Sequence, residues 1–447
     1  AVVRRVLPAL RHLVVIPAAS DRGAGTLRRS EPTHGAEASD DSPEQAVATA
    51  LVELDAVPYE EALAAASPAR DFPPRSPDDL YILYTGGTTG LPKGVLWRAE
   101  DIFFAALGGG GYGQPPITTA DELAERVQPD GAITVNIVNA PMMHGGGQWA
   151  SFIGFFGGST VVLNCEHHFD GEHVLRLAES ERATSIMVVG DAMARPLADA
   201  LESIGAELDL STVVIVGSGG AILSKAVREE LRQRLPHAAV MDSFGASETG
   251  HAGTVLDLER GGPRFTMNAT TSVLDDEDRP IEPGSDRVGR LARSGHIPLG
   301  YYKDEAKTAA TFVVDPNGKR WVVPGDFATV GADGTLNLLG RGSVCINTGG
   351  EKVYPEEVEA ALKAHPDVFD AVVVGVPDDR FVERVAAIVT PRDDAVLDLG
   401  TLQQFCRTKL AGYKVPRQLH LTDEIPRTPV GKPDYRWAKT IATKEIM

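Results

Sequence analysis

The most constraining feature of this 447-residue chain is a glycine- and threonine-rich loop at residues 84–94. It reads Tyr-Thr-Gly-Gly-Thr-Thr-Gly-Leu-Pro-Lys-Gly and directly follows the apolar run 80–83. A strand that ends in such a loop offers backbone N–H groups, small hydroxyls and one cation to a polyphosphate. The loop is not a Walker A motif, because Pro92 precedes Lys93 and Gly94 follows it. A flexible turn is the simpler alternative, but turn chemistry does not explain the threonines and the lysine.

Length and charge restrict the classes of protein that the chain can represent. Its length exceeds one typical core, so two or more domains are expected. The net charge of −19, from 43 basic and 62 acidic residues, argues against a general nucleic-acid or anionic-membrane surface. Cys165, Cys345 and Cys406 lie far apart, which disfavours a disulfide framework or zinc site and favours the cytoplasm. No apolar run approaches the roughly 18 residues that suggest a membrane span.

Strand-like and helical segments alternate through the middle of the chain. This pattern predicts an α/β fold with parallel strands and crossover helices, with ligands at the carboxyl ends of the strands. Residues 319–341 instead predict antiparallel hairpins, and the last hundred residues predict a small α+β unit. The predicted strands are 13–16, 133–138, 159–163, 184–189, 212–216, 238–240, 371–376 and 384–390, and the predicted helices are 192–204, 225–235, 356–364 and 401–410.

An aromatic–glycine–hydroxyl–glutamate segment occupies residues 241–250, after the predicted strand 238–240. An aromatic face can stack on adenine, and a carboxylate can hold Mg²⁺ that is bound to phosphate oxygens. On its own, the segment is explained equally well by a glycine turn between a core Phe244 and a solvated Glu248.

Three further segments follow towards the C-terminus. They are a Gly-Asp turn at 325–326, a Gly-Arg-Gly-Ser segment at 340–343 with Gly-Gly-Glu-Lys at 349–352, and a Gly-Lys pair at 431–432. A lysine on a mobile unit could meet the charge that develops when a carboxylate attacks a phosphate. A single lysine in a polar tail is ordinarily a surface residue, so the order of the motifs gives Lys432 its significance.

These five segments, in this order over residues 84–436, resemble the adenylate-forming superfamily. The details are most similar to actinobacterial acyl-CoA synthetases for long-chain or steroid acids. The resemblance implies a large N-terminal adenylate-forming domain of layered sheets and helices at 1–342 and a small, mobile α+β C-terminal domain at 343–447. Members normally carry a longer segment before the phosphate loop, so the first part of the large domain is expected to be missing. Gly86, Ser343 and Asn347 depart from the usual residues.

The resemblance also implies roles for individual residues. The catalytic set is Lys432, Thr88, Glu248 and His144. The ATP- and AMP-binding set is Thr85, Gly86, Gly87, Thr89, Gly90, Lys93, Gly219, Gly220, Ala221, Asp242, Ser243, Phe244, Gly245, Ser247, Asp326 and Arg341. The acyl-pocket set is Met143, His144, Gly145, Trp149, Asp191, Met193 and Gly219. The CoA and hinge set is Ser343, Gly349, Gly350 and Glu351, and Mg²⁺ would be held by Glu248 and Thr85.

The implied reaction has two steps. A carboxylate attacks the α-phosphate of ATP, giving acyl-adenylate and pyrophosphate, and the CoA thiolate then displaces AMP. The C-terminal domain would rotate about Ser343, presenting Lys432 in one pose and the 349–350 face in the other. Apolar residues near the pocket favour a bulky acid such as a steroid, a terpenoid or a long-chain fatty acid. They are Met142, Met143, Trp149, Phe152 and Met193.

Two alternatives stay open. One is an enzyme that only forms thioesters from an adenylate made elsewhere, and the other is a non-catalytic nucleotide-binding fragment. The expected partners are a small carboxylic acid, ATP, Mg²⁺ and CoA, with no nucleic acid and no membrane span, and the resemblance allows a homodimer.

Overall fold

A computed structural model describes most of the chain. The described residues are 14–15, 57–69, 72–85, 92–109, 115–127, 134–166, 168–257, 264–266, 270–285, 287–348, 351–378, 382–392, 395–428 and 431–444. The chain divides into two compact units, residues 1–75 and 76–447. In the first unit, strand β1 (Val14–Val15) pairs in parallel with β2 (Val57–Pro58), and helix α1 (Tyr59–Ala65) follows. The sequence predicts a short helix before β1 and a surface loop at 17–50, and both lie outside the described residues.

The second unit carries the remaining described elements. Its helices are α2 (Ala99–Ala106), α3 (Ala120–Arg126), α4 (Gly145–Phe156), α5 (Gly171–Ser180), α6 (Gly190–Ser203), α7 (Lys225–Arg234), α8 (Glu305–Thr311), α9 (Pro355–Lys363), α10 (Leu399–Arg407) and α11 (Tyr435–Lys444). Its strands are β3 (Leu80–Thr85), β4 (Lys93–Arg98), β5 (Val135–Val138), β6 (Thr160–Leu163), β7 (Ser185–Val188), β8 (Ile215–Gly219), β9 (Ala239–Ala246), β10 (Gly250–Asp257), β11 (Arg264–Thr266), β12 (Thr271–Leu274), β13 (Gly289–Arg293), β14 (Gly300–Tyr301), β15 (Phe312–Val314), β16 (Arg320–Val322), β17 (Asp326–Val330), β18 (Thr335–Arg341), β19 (Ile346–Asn347), β20 (Lys352–Val353), β21 (Val368–Asp378), β22 (Val382–Pro391) and β23 (Gln418–Leu421).

The predicted parallel sheet is confirmed. Its strands lie in the order β6-β5-β7-β8-β9, and each neighbouring pair is parallel. Ile186, Val188 and Val216 are buried, as expected for strands covered on both faces. The sequence predicts Ser224 as the N-cap of helix α7, and its hydroxyl accepts the N–H of Val227 at 3.4 Å, which confirms this prediction.

Two strand boundaries differ from the sequence prediction. Strand β8 begins at Ile215 rather than residue 212, because a turn bonds the N–H of Val213 to the carbonyl of Leu210 at 3.0 Å. It also continues to Gly219, where the sequence suggested a loop, since Gly219 pairs with Ser243 of β9. Strand β9 likewise continues to Ala246 and turns back through β10.

The remaining strands of this sheet are antiparallel to their neighbours. Beyond β9, the order is β10-β11-β18-β17-β13-β16-β15, and β12 pairs with β13. The hairpins predicted within 319–341 are confirmed by the antiparallel register of β17 and β18, which places Asp326 opposite Arg341. The phosphate-loop motif lies between antiparallel strands β3 and β4, but its residues 86–91 lie outside the described residues.

The C-terminal part is a small α+β unit, as predicted. Strands β21 and β22 are antiparallel, and β23 pairs in parallel with β22. Helices α9, α10 and α11 pack on this sheet through two apolar clusters, around Leu362 and around Ala438. We call residues 76–342 the large lobe and residues 343–447 the small lobe. Their division into separate domains at 342 and 343 stays a prediction.

Candidate active site

A cleft of about 210 Å³ lies at the carboxyl ends of β8 and β9, between the two lobes. This is the edge of a parallel sheet at which ligands are expected. The cleft brings together many residues that the sequence predicted from separate motifs. Those that line it are Asp191, Gly220, Ala221, Asp242, Ser243, Phe244, Gly245, Asp326, Arg341 and Lys432.

Lys432 reaches the cleft on a tight turn of the small lobe. The N–H of Gly431 donates to the carbonyl of Thr428, and the N–H of Thr428 donates to the carbonyl of Lys432, both at 2.8 Å. Gly431 has φ +73°, a left-handed conformation that favours glycine. The guanidinium of Arg427 donates to the carbonyl of Gly431 at 2.7 Å. These hydrogen bonds therefore fix the backbone that carries Lys432.

Charged groups of the large lobe act on the Lys432 ammonium. Burial lowers the pKa of Lys432, and the positive charge of Arg341 lowers it further. Asp326 and Glu248 oppose this shift of the Lys432 pKa. The site thus presents a cation that is short of negative partners, which suits the binding of an anion.

Arg341 and Asp326 form one side of the cleft. The Nε of Arg341 donates to Oδ1 of Asp326 at 3.2 Å across β17 and β18. The Asp326 carboxylate is the main cause that raises the pKa of Arg341. The pair places a guanidinium and a carboxylate beside Lys432, where they can contact phosphate and ribose groups.

Glu248 is held by a tyrosine that the sequence reading missed. The Tyr301 hydroxyl donates to Oε1 of Glu248 at 2.8 Å, and burial followed by the charge of Glu248 raises the pKa of Tyr301. The Nζ of Lys93 lies 5.8 Å from the Tyr301 ring centre and 3.7 Å from Oδ2 of Asp304. Lys93 and Glu248, predicted from different motifs, therefore meet around Tyr301.

Phe244, the aromatic residue of the 241–250 segment, forms part of the cleft wall. The ring of Phe244 packs edge-on against Phe265, with 4.4 Å between ring centroids, and is half-buried. Gly245 follows it at the β9–β10 hairpin, where an added Cβ would lie 2.2 Å from the carbonyl oxygen of Gly250. The backbone carbonyl of Ser247 accepts the indole N–H of Trp97 at 3.0 Å.

Two predicted site carboxylates are engaged with buried cations. Oδ2 of Asp242 lies 3.2 Å from Nη2 of Arg228, and burial raises the pKa of Asp242 to about 7 although Arg228 opposes the shift. Oδ2 of Asp191 lies 3.3 Å from Nζ of Lys363. Both residues line the cleft, but these contacts point to structural partners rather than to ligands.

His144 immediately precedes helix α4. Burial lowers the pKa of His144, and the charge of Lys432 lowers it further, so the two groups interact electrostatically. Further along α4, the Trp149 indole donates to the Tyr81 hydroxyl at 3.3 Å. That hydroxyl in turn donates to the side chain of Gln148 at 2.5 Å.

An apolar cavity of about 560 Å³ lies beside α2 and α4. Tyr81 forms part of its wall. The remaining apolar lining comes from Pro77, Ala99, Ile102, Phe103, Phe104, Leu107, Ile117, Leu123, Phe152 and Phe156. Of the residues predicted for an acyl pocket, Met143 is exposed, Gly145 is buried and Met193 lies in the core of the large lobe.

Comparison with known proteins places this geometry in a family. The family described as AMP-binding enzyme matches residues 11–302, and the AMP-binding enzyme C-terminal domain matches residues 357–432. A 3-oxocholest-4-en-26-oate–CoA ligase of Rhodococcus rhodochrous is 51% identical over 394 residues, covering 86% of this chain and 70% of that protein. The chain belongs to the AMP-binding enzyme family.

Further relatives agree with this assignment. A medium/long-chain-fatty-acid–CoA/3-oxocholest-4-en-26-oate–CoA ligase of Mycolicibacterium smegmatis is 49% identical, covering 86% of this chain and 71% of that protein. The solved o-succinylbenzoate CoA synthetase of Bacillus subtilis in complex with AMP is 26% identical, with a TM-score of 0.67, and covers 86% of this chain and 74% of that one. The predicted family and fold class are confirmed, and similar curated members are named as acid–CoA ligases.

The residues present fit the Mg²⁺ that AMP-binding enzymes use with ATP. Mg²⁺ is usually held by one or two carboxylates together with substrate phosphates, rather than by a cage of protein ligands. Glu248 offers one such carboxylate. Among the described residues, no cluster of three or more His, Cys, Asp or Glu side chains could hold a metal by itself. Thr85, the second predicted ligand, ends β3 and pairs with Lys93.

Several predicted residues of this AMP-binding enzyme stay untested. Ser343 lies in a short 3₁₀ turn, Gly342–Val344, and the carbonyl of Glu351 accepts the N–H of Thr348 at 3.0 Å. Gly219 ends strand β8. The residues of the hydroxyl and glycine motifs that lie outside the described part are Gly86, Gly87, Thr88, Thr89, Gly90, Gly349 and Gly350.

Proposed function

We propose that this chain is an AMP-forming acid–CoA ligase that activates a bulky apolar carboxylic acid. The observation that carries the proposal is the convergence of Lys432, Arg341 and Asp326 in one cleft, with Glu248 acting electrostatically on Lys432. A lysine, an arginine and a metal-binding carboxylate around a phosphate-sized space suit the transfer of a nucleotidyl group, in which charge develops on phosphate oxygens. The names of the similar ligases support the same assignment.

In the first step, the acid carboxylate attacks the α-phosphorus of ATP and pyrophosphate leaves. Lys432 donates to the oxygens on which negative charge increases. The surroundings lower the pKa of Lys432, and the negative charge of the phosphate would raise this pKa again and favour the charged lysine. Asp326 accepts from the ribose hydroxyls, and Arg341 holds Asp326 in position. Glu248 would hold Mg²⁺, which would supply positive charge beside the phosphates.

In the second step, the CoA thiolate attacks the acyl carbon and AMP leaves. We propose that the lobes are separate domains divided at residues 342 and 343. The small lobe then rotates about Ser343, so that Lys432 withdraws and the face near Glu351 approaches the thiol. Small residues at the hinge can absorb such a change in backbone dihedral angles.

The apolar cavity beside α2 and α4 supports a large apolar substrate. Its volume of about 560 Å³ falls in the range of small-molecule sites, and its aromatic lining suits a ring system or a long chain. Helix α4 extends from Gly145, which follows His144, to Phe156 at the cavity. An acid could therefore place its carboxylate near His144 and its tail along α4. Steroid, terpenoid and long-chain acids are the candidates.

The test is pyrophosphate release from ATP–Mg²⁺ with a panel of medium-chain, long-chain, steroid and diterpenoid acids, with and without CoA. The thioester is identified by mass. The proposal predicts release with at least one apolar acid and a thioester that requires CoA. Neither product with any acid would contradict it.

The thioester-only alternative makes a different prediction. The departures at Gly86, Ser343 and Asn347 are its only support. It predicts no pyrophosphate release, but thioester formation from a supplied acyl-adenylate and CoA.

Assembly and location stay proposals as well. None of the helices in the described part of the chain has the length and apolar character needed to cross a bilayer. A homodimer would be detected by sedimentation velocity, and a cytoplasmic location by cell fractionation.

A further inference from the structure

A buried ion pair joins the two lobes at the wall of the cleft. The Nζ of Lys363, at the end of α9, lies 3.3 Å from Oδ2 of Asp191, in the first turn of α6. The two side chains are only 9% and 5% exposed. The other carboxylate oxygen of Asp191 accepts the backbone N–H of Ser224 at 2.7 Å. Asp191 is thus fixed in the large lobe, and its cation comes from the small lobe.

Charged contacts continue from this pair to the Lys432 turn. Asp370 acts electrostatically on Lys363 and also forms an ion pair with Arg427. Arg427 donates to the carbonyl of Gly431, next to Lys432. A Cβ added at Gly431 would lie 3.4 Å from the side chain of Val189, two residues before Asp191. The ion pair and the turn therefore contact the same end of α6.

The lysine stays charged in this position. Burial alone would lower the pKa of Lys363, but the carboxylates of Asp191, Asp370 and Glu359 together hold it above its ordinary value. Asp191 contributes the largest of these favourable interactions and is the one carboxylate of the three that belongs to the large lobe.

We propose that the Asp191–Lys363 pair is a latch that selects the lobe arrangement in which Lys432 enters the cleft. This inference rests on the proposed function, because it assumes that the small lobe rotates between two half-reactions. Lys363 acts through the position of Lys432, so it is a positioning residue. The latch favours adenylation and must open before thioester formation.

The energetics of buried pairs give the latch a distinctive signature. Removing one partner leaves the other charge buried without compensation, whereas removing both partners can be nearly neutral. Lys363→Met would leave Asp191 uncompensated only while the lobes are in the present arrangement, since rotation returns Asp191 to water. Asp191→Asn should be milder, because Lys363 keeps Glu359 and Asp370.

The first test compares the two half-reactions in four variants. Lys363→Met should lower the rate of acyl-adenylate formation by roughly 100-fold, and Asp191→Asn by about 10-fold. The double variant should recover at least about 10-fold relative to Lys363→Met. Any destabilisation that Lys363→Met causes around Glu359 and Asp370 is present in both the single and the double variant. The recovery of adenylation in the double variant therefore measures the interaction of Lys363 with Asp191. In Lys363→Met, thioester formation from supplied acyl-adenylate should fall much less than adenylation does.

The matched control is an ion pair that also joins the two lobes but lies at the surface. Arg392 of the small lobe lies 3.5 Å from Asp199 of α6, and its side chain is one-third exposed. Because exposed pairs contribute little, Arg392→Gln should change adenylation by less than about 3-fold. An equal loss of both half-reactions in Lys363→Met, or no recovery in the double variant, would overturn the latch.

A second measurement separates the latch from the proposed reaction. Spin labels on the exposed Cys165 and on Val396→Cys, in a Cys345→Ser background, report the distance between lobes while Cys406 stays buried. With ATP–Mg²⁺, Lys363→Met should shift the distances towards a second population, and the double variant should shift them back. This result is expected even if the chain makes no thioester. An unchanged distribution in Lys363→Met would overturn the latch without bearing on the ligase activity.

Discussion

Lys432 experiences opposing electrostatic influences from its neighbours. Burial and Arg341 disfavour its charge, while Asp326 and Glu248 favour it, and the net effect lowers the pKa of Lys432. A bound triphosphate adds negative charge beside the ammonium and should reverse this shift. Substrate binding and correct protonation of the lysine are therefore coupled.

Replacing this lysine gives the first prediction. Lys432→Ala should lower acyl-adenylate formation by roughly 100-fold or more, since one preorganised charge donor is lost. Thioester formation from supplied adenylate should fall much less. Pyrophosphate release and thioester mass measure the two steps. Lys439→Ala, at an exposed lysine of the following helix, is the control and should change neither. Equal losses in both steps would assign Lys432 a structural role.

Glu356 gives a prediction that depends on pH. Burial raises the pKa of Glu356 to about 7, from an ordinary value of 4.5. Because the pKa is higher in the folded state, the stability that protonation of Glu356 contributes is fully present below pH 4.5 and is lost as the pH rises to about 7. One carboxylate oxygen accepts the N–H of Arg341 at 3.4 Å, which an amide oxygen can also do.

Glu356→Gln should therefore stabilise the chain at pH 8 by roughly 2 to 3 kcal/mol and change little at pH 4.5. Urea unfolding at the two pH values measures the difference. The neighbouring Glu357, which pairs with Lys414 at 2.6 Å, provides the control. Glu357→Gln should give no gain at pH 8. A Glu356→Gln gain that is equal at both pH values would show that ionisation is not the cause.

The turn before α11 gives a prediction at the scale of an element. Gly431 has φ +73°, and a side chain there costs about 1 to 2 kcal/mol. Gly431→Ala should misplace Lys432 and lower adenylation by roughly 10-fold. Gly412→Ala, where an added Cβ meets nothing within 4 Å, is the matched control. A Gly431→Ala variant with full adenylation activity would show that the turn does not position the lysine.

Helices α2 and α4 should determine the size of acid that is accepted. Ala99 is half-buried, begins α2 and lines the apolar cavity. Ala99→Phe should raise KM for a steroid acid by about 10-fold or more and affect a medium-chain acid by less than about 3-fold. Ala310→Phe, on the exposed side of α8, is the control. Equal changes in KM for both acids would mean that the tail does not lie in this cavity.

Elements with local sequence signals were predicted, and those that depend on distant pairing were not. Strands β5 to β9 follow from apolar runs between helices, and the hairpin of β17 and β18 from its turn residues. Strands β11 and β13 were missed because each has a partner that is distant in sequence: β13 pairs with β17, and β11 with β18.

In the candidate site, too, the predicted residues are those that lie in local sequence motifs. Lys432, Arg341, Asp326 and Glu248 were predicted because each lies in a recognisable motif. Tyr301 and Lys363 were missed, since nothing next to them in sequence signals a carboxylate partner. Their roles depend on Glu248 and Asp191, which only folding brings near.

At the scale of the whole molecule, the chain should unfold in more than one step. It contains two compact units, and chains of this kind need not unfold as a single cooperative transition. The cleft belongs entirely to the unit at residues 76–447. A ligand of the cleft should therefore stabilise the transition of this unit and leave a transition of residues 1–75 in place.

ATP–Mg²⁺ at a concentration of 100 Kd should stabilise the larger unit by about 2.7 kcal/mol. Differential scanning calorimetry would record this as a rise in Tm of the main transition. Asp326→Ala should reduce the rise, because it removes both the proposed acceptor for ribose and the partner of Arg341. Asp333→Ala, at a turn outside the cleft, should keep it. Equal shifts in both variants would place the nucleotide elsewhere, and no shift in the unaltered chain would mean that the cleft does not bind ATP.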